Sequence, residues 1–218
     1  MLNVLVYGDS LSWGIVPGER RRLPFEQRWP GVMERGLVAG GLAVRVIENC
    51  LNGRRTVWDD PFKPGRNGLQ GVEQVMEIHS PLDLVTLCLG TNDMQCWYPF
   101  NNAWSAGQGV TAVVNAMRRA PIEPGMPVPH ILIVAPPPTS TPRGTMVEKF
   151  AGAEVRGRGM AEAYRQVSET LGCAFFDAGS ATTVSEIDGV HLDAKQHREL
   201  GEAISPVVVE LLKQQSRM

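Results

Sequence analysis

Two short stretches hold side chains that could carry out nucleophilic acyl chemistry together. One is Gly8-Asp9-Ser10-Leu11 near the start of the chain, and the other is Asp188-Gly189-Val190-His191 near its end. A serine hydroxyl is a poor nucleophile until a base removes its proton. A histidine can take that proton near neutral pH and return it to a leaving group. An aspartate three residues earlier in a turn can hold the far ring nitrogen and fix the tautomer. Two further polar stretches lie between them: Cys50-Leu51-Asn52-Gly53 and Gly90-Thr91-Asn92-Asp93. Asn92 offers an amide N–H, Gly53 a backbone N–H with no side chain in the way, and Ser10 its own backbone N–H. Three donors converging from separate loops would make an oxyanion hole.

Those residues are far apart in sequence, so the fold must gather them. Short β-branched runs alternate with amphipathic stretches. Strands are expected at residues 2–7, 42–48, 83–89, 130–135 and 174–177. Helices are expected at 29–38, from an Asn67 N-cap to about 78, at 103–119, over most of 146–171 with a start after Gly152, and at 194–213. The third strand is nearly all apolar, as in a parallel strand covered on both sides. Helical crossovers imply a parallel sheet with helices on both faces. The expected fold is α/β: a three-layer α/β/α sandwich over a five-stranded parallel sheet of flavodoxin-like order 2-1-3-4-5. With no internal repeat or linker, residues 1–218 read as one domain. In that order the first and third strands are neighbours where the strand order reverses, the place where open parallel sheets bind ligands. Each polar stretch follows a strand, so all would meet at one rim.

Taken singly, each stretch has a plain structural reading. Gly8-Asp9-Ser10 is a turn whose serine caps a helix, Asp188-Gly189 is a turn signal, Asn92-Asp93 could organise a loop, and His191 could be a surface histidine. Their order, each at a strand end, favours chemistry. His79, His130 and His197 have no aspartate three residues before them.

Composition excludes several classes. Lys plus Arg is 21 against 23 for Asp plus Glu, giving a net charge of −2. No global field favours nucleic acid or an anionic membrane. Arg20-Arg21-Arg22, Arg54-Arg55 and Arg118-Arg119 are short and lack interleaved aromatics, so they read as solvated faces, with Arg54-Arg55 set apart by its place directly after Gly53. Cys50, Cys88, Cys96 and Cys173 form no Cys-x-x-Cys pair and no zinc spacing, so no metal is expected. Unpaired cysteines and a first strand starting at residue 2 lead to an expectation of a cytoplasmic protein without a signal peptide. No Gly-x-Gly-x-x-Gly or phosphate-binding Gly-x4-Gly-Lys loop is present, so no nucleotide cofactor is expected.

The stretches GDSL at 8–11, Gly53 after the second strand, GTND at 90–93 and DGVH at 188–191 resemble the four blocks of the SGNH (GDSL) hydrolase family. The resemblance runs from residue 4 to about 200. The wider wording, GDSLSWG, LNGRRT, LDLVTLCLGTND, VAPPP and FFDAGS, is similar to its bacterial arylesterase and acyltransferase branch. It implies Ser10 as nucleophile, His191 as base and Asp188 as its orienter. It implies an oxyanion hole from Ser10, Gly53 and Asn92, and no cofactor. The serine is not in a Gly-x-Ser-x-Gly elbow, unlike that of α/β-hydrolases.

Expected pocket residues are Asp9, Trp13, Asn52, Arg54 and Trp97. Residues 94–104 hold Trp97, Tyr98, Phe100 and Trp104, which could roof a dry site, pack a subunit interface or pack locally. In the resembling branch such loops build oligomers and restrict the acyl group. The expectation is therefore a short-chain esterase with a small-molecule ester substrate, acting as a homo-oligomer (tetramer or octamer), with acyl transfer to alcohols as a second outcome. A carbohydrate acetylesterase, thioesterase or lysophospholipase of the same fold are alternatives. A module holding an anion at Arg54-Arg55 without catalysis is the alternative from another class.

Overall fold

The computed structural model describes residues 1–19 and 21–215, so Arg20 of the basic run lies outside the described residues. The strands are β1 (Leu2–Gly8), β2 (Val44–Cys50), β3 (Leu84–Cys88), β4 (His130–Ala135) and β5 (Ala174–Asp177). All pair in parallel, in the order β2-β1-β3-β4-β5. The helices are α1 (Ser10–Trp13), α2 (Trp29–Ala39), α3 (Val72–His79), α4 (Ala103–Arg119), α5 (Ala153–Arg156), α6 (Met160–Leu171) and α7 (Ala194–Gln215).

Side chains alternate across each strand, and that alternation builds two cores. Val4 and Val6 of β1 with Leu132 and Val134 of β4 face Trp29, Met33 and Leu37 of α2 and Leu200, Ile204 and Val208 of α7. Leu5 and Tyr7 with Ile131 and Ile133 face the other way, toward Met76 of α3, Val110, Val113 and Met117 of α4, and Tyr164 of α6. Burying a Leu, Ile or Val side chain stabilises by roughly 1.5–3 kcal/mol. These two layers therefore hold the sheet, and the sheet holds the loops at its carboxyl edge.

Three element expectations are corrected. Asn67 does not cap α3. It bridges to Arg55, its Oδ1 accepts from the Leu69 N–H at 3.0 Å, and its Nδ2 donates to the Val57 carbonyl at 2.9 Å. An asparagine oxygen bonding two residues ahead makes a local turn as readily as a cap, and the helix begins only after Gly71. The helix expected over most of 146–171, starting after Gly152, does start at Ala153 but is two helices, α5 and α6, with a 3-10 turn, Gly144–Met146, ahead of them. Gly157 and Gly159, the latter at φ +84°, break it. β2 runs two residues later than expected because a Gly40-Gly41 turn precedes it. No helix among the described residues is long and apolar enough to cross a membrane.

One buried pair joins two loops at the sheet edge. The Asp93 carboxylate accepts from the Thr56 N–H at 2.9 Å and from the Thr56 hydroxyl. Burial pushes the Asp93 carboxyl up to about 6, against these bonds and the nearby Arg55 charge. The unfolded chain loses that proton near pH ~4. The folded state therefore binds it more tightly. Its contribution to stability is fullest below pH ~4 and is lost as pH rises through about 6, a change of roughly 2–3 kcal/mol. Asp93→Asn keeps an acceptor for the Thr56 N–H and removes this titration. Urea unfolding midpoints of the variant should change less between those two pH values than those of the parent. Some slope should remain, because burial also raises Asp9 to about 6.

Candidate active site

β1 ends at Gly8, which pairs with Cys50 of β2 on one side and Cys88 of β3 on the other. Three loops therefore leave the sheet at one level. The first carries Asp9, whose Oδ1 accepts from the Leu11 N–H at 2.9 Å, and then Ser10, which opens the single turn of α1. Ser10 is 5% exposed. Its hydroxyl stands 3.2 Å from Nε2 of His191.

His191 reaches Ser10 from the loop after β5. Its Nδ1 lies 2.6 Å from Oδ2 of Asp188. The other carboxylate oxygen of Asp188 accepts from the backbone N–H of Val190 and of His191, each at 2.9 Å. Burial acts to raise this carboxyl. The bond and charge of the His191 ring, with the two N–H donors, outweigh it and hold Asp188 below the usual carboxylate range. An ionised Asp188 can only accept, so Nδ1 of the neutral ring keeps its proton and donates it in this bond, and Nε2 is bare and faces the Ser10 hydroxyl. The turn itself is pinned: Ser185 N–H donates to His191 O at 2.8 Å, and Ser140 and Arg143 N–H donate to Gly189 O and Asp188 O, each at 2.9 Å.

The loop after β2 turns at Leu51–Arg54, closed by a 2.9 Å bond from the Arg54 N–H to Leu51 O. Gly53 adopts φ +83° there, a conformation costly for any residue with a Cβ. The backbone N–H groups of Ser10 and Gly53 donate to no hydrogen bond shown among the described residues. Asn92 sits in the 3-10 turn Thr91–Met94, entered through Gly90 at φ +122°, where a Cβ would overlap the Tyr164 hydroxyl. Its Nδ2 donates to Asp9 Oδ2 at 2.9 Å and to Arg54 O at 3.1 Å.

Ser10, Asn52, Gly53, Asn92, Asp188 and His191 line one cavity of about 70 Å³. A polarised hydroxyl, a bare ring nitrogen and backbone N–H donors with no protein partner can together attack a carbonyl and hold the oxygen charge that develops.

A model described as the GDSL-like lipase/acylhydrolase family matches residues 6–199. The chain belongs to that family. A carbohydrate acetylesterase family member from Sinorhizobium meliloti is 38% identical, over 98% of this chain and 100% of that one, with a TM-score of 0.91. A second carbohydrate acetylesterase from that organism is 32% identical over 97% and 100%, with a TM-score of 0.90. The native aryl esterase of M. smegmatis gives the same identity, coverage and TM-score. No curated protein matched the chain.

Four residues expected in the pocket of this GDSL-like protein do not line the cavity. The Trp13 ring lies under the Arg22 guanidinium at 4.8 Å. Asp9 is spent on Leu11 and Asn92. Arg54 lies behind the site, its guanidinium 4.1 Å over the Tyr7 ring, donating to Gly8 O, Asn49 O and Asn49 Oδ1. Trp97 packs edge-on against Phe62 at 5.3 Å. Sequence reasoning missed Ile15, Val16 and Gly18 after α1, Asp60 and Lys63 after β2, and Thr145, Met146, Lys149 and Phe150 after β4. The last group follows a strand whose carboxyl end lies on the same rim, and Met146 and Phe150 stand four apart. That signal was present.

The Asp188–His191 contact makes a tautomer prediction. Nitrogen-15 NMR of the neutral His191 ring should show the proton on Nδ1. Asp188→Ala should remove that preference and leave a mixture of tautomers.

Proposed function

We propose that the protein is a serine esterase for short-chain, acetyl-type carboxylic esters, aryl esters among them. The hydrogen-bonded chain Ser10–His191–Asp188 at the wall of a small cavity carries this reading. Ser10 Oγ attacks the ester carbonyl carbon as its proton passes to His191 Nε2. The carbonyl electrons move onto oxygen, and the N–H groups of Ser10 and Gly53 and the Asn92 amide stabilise that charge. The C–O bond to the alcohol then breaks, and the alcohol leaves with the proton from His191. Water, deprotonated by the same ring, releases the acyl group from Ser10. An alcohol entering in place of water would give acyl transfer, which belongs to the same proposal.

The cavity volume argues for a short acyl group. A closed apolar cavity of about 150 Å³ takes benzene, with six heavy atoms. The 70 Å³ here suits the three heavy atoms of an acetyl group. A lysophospholipid chain is several times too long. The lining of this cavity includes apolar Ile15, Val16, Met146 and Phe150 and polar Asn52, Asp60 and Lys63. Asn52 Oδ1 is buried without a hydrogen-bond partner. That acceptor favours a second reading, in which the leaving alcohol is a sugar hydroxyl.

Ser10→Ala should abolish labelling by a fluorophosphonate while leaving the circular dichroism spectrum unchanged. Esterase assays of the parent should fall from acetate through butyrate to octanoate. Faster octanoate turnover would remove the narrow-cavity argument. Comparing an aryl acetate with an acetylated sugar decides between the two leaving groups.

Assembly as a homo-oligomer, a tetramer or octamer, is also proposed. Phe62, Phe100 and Trp104 are 76%, 92% and 70% exposed, and Phe62 packs on Trp97. Sedimentation velocity should find one assembled species, and Phe100→Asp with Trp104→Asp should dissociate it. A monomeric parent chain would end that proposal.

A further inference from the structure

Asn92 is held in a way that exceeds what its own loop requires. Both hydrogens of its amide nitrogen are engaged, with Asp9 Oδ2 at 2.9 Å and Arg54 O at 3.1 Å. Its oxygen accepts from Gln95 Nε2 at 2.6 Å. A reacting oxygen that takes one of those hydrogens must draw it from an existing partner, and the longer bond to Arg54 O is the weaker hold. The amide is then kept in place by Asp9 on its nitrogen and Gln95 on its oxygen. Asparagine amides rotate in a broad, roughly two-fold torsional well. A half-turn would present Oδ1, a negative dipole end, to the developing charge.

Gln95 faces the same ambiguity, and Arg55 resolves it. Arg55 Nη2 donates to Gln95 Oε1 at 2.5 Å, which leaves the Gln95 nitrogen pointing at Asn92. Arg55 is fixed in turn by Asp59 O at 3.1 Å and Asp60 Oδ2 at 3.3 Å, with the Tyr98 and Trp97 rings 5.0 and 5.5 Å from its guanidinium carbon. Gln95 and Arg55 are both fully buried. Asp60 also lines the cavity. An ordered chain of donors therefore runs Asp60–Arg55–Gln95–Asn92, from the cavity wall to the amide.

We propose that Gln95, oriented by Arg55, is a positioning residue for the reaction: its amide nitrogen locks the oxygen of Asn92 and so keeps the Asn92 N–H turned toward the reacting oxygen. This rests on the reading of Asn92 as an oxyanion donor. The chain also accounts for Trp97 and Tyr98, which flank the arginine and do not line the cavity.

Gln95→Glu tests it. The carboxylate keeps its shape and its bond to Arg55 but offers Asn92 Oδ1 only an acceptor. The amide then turns or loosens. Steady-state kinetics on an acetate ester above pH ~7 should show kcat reduced ~10–100-fold, toward the 10²–10³-fold scale of losing one oxyanion donor, with KM within about threefold. Protonating the introduced carboxylate restores a donor, so the deficit should narrow as pH falls. In an Asn92→Ala background the same substitution should cost nothing further, because the group it positions is gone. Should Gln95→Glu fail to fold, Gln95→Met carries the test: a loss of about tenfold in kcat in the parent and none in the Asn92→Ala background. Unchanged kcat, or an equal loss in both backgrounds, would overturn the proposal and leave Gln95 a structural residue. Full kcat in Asn92→Ala alone would instead remove Asn92 as a donor.

Discussion

The site depends on strand register. Gly8 stands level with Cys50 and Cys88, so the Ser10, Gly53 and Asn92 loops all start from one height. The two cores set that register, and the loops add bonds only where they leave the sheet. Side chains on a strand alternate faces, so a slip of one residue in β1 would send Val4 and Val6 to the face built for Leu5 and Tyr7. Tyr7 would lose its 2.6 Å bond to Gly68 O and Arg54 its ring to lie on. Apolar packing far from Ser10 thus sets where its hydroxyl stands.

Within that frame, buried polar groups couple the loops to one another. Asp93 binds Thr56, Asn92 binds Asp9 and Arg54, and Arg54 binds the end of β1. Each of these groups gives up water on burial, and each is satisfied by a partner from a different loop. Two adjacent arginines divide the work. Arg54 ties β1 to β2, while Arg55 reaches toward the turn after β3 through Gln95. A module that holds an anion would need one of these guanidinium groups facing a ligand, and both are committed to protein oxygens.

Much of this was legible in the chain. The parallel sheet followed from alternating strands and helices, the expected order 2-1-3-4-5 is the one found, and β4, β5 and α4 fall where their patterns placed them. The meeting of Ser10, Asp188, His191 and Asn92 at one rim followed from the same topology. What failed was local. Asn67 bears a signal shared by caps and turns, and only Gly71 decides between them. Trp13 is one helical turn from Ser10, yet α1 ends at Gly14 and the chain folds Arg22 over the ring. Side chains such as Arg54 and Trp97 lie at the right edge but face inward, and spacing along a sequence does not set which way a loop residue points. Gln95 and Arg55 carry no motif at all. They meet across 40 positions, which only the folded chain brings together.

His191 and Ser10 are 181 positions apart, on the last and first loops of the sheet. Synthesis from the N-terminal side therefore makes Ser10 well before His191. Until β5 and the turn that follows it have joined the edge, the Ser10 hydroxyl has no imidazole beside it. The same order makes the segment between Ala178 and Asp188 a point of vulnerability. A single cut there would separate the imidazole from every strand of the sheet while leaving Ser10, Gly53, Asn92 and most of the buried core in place.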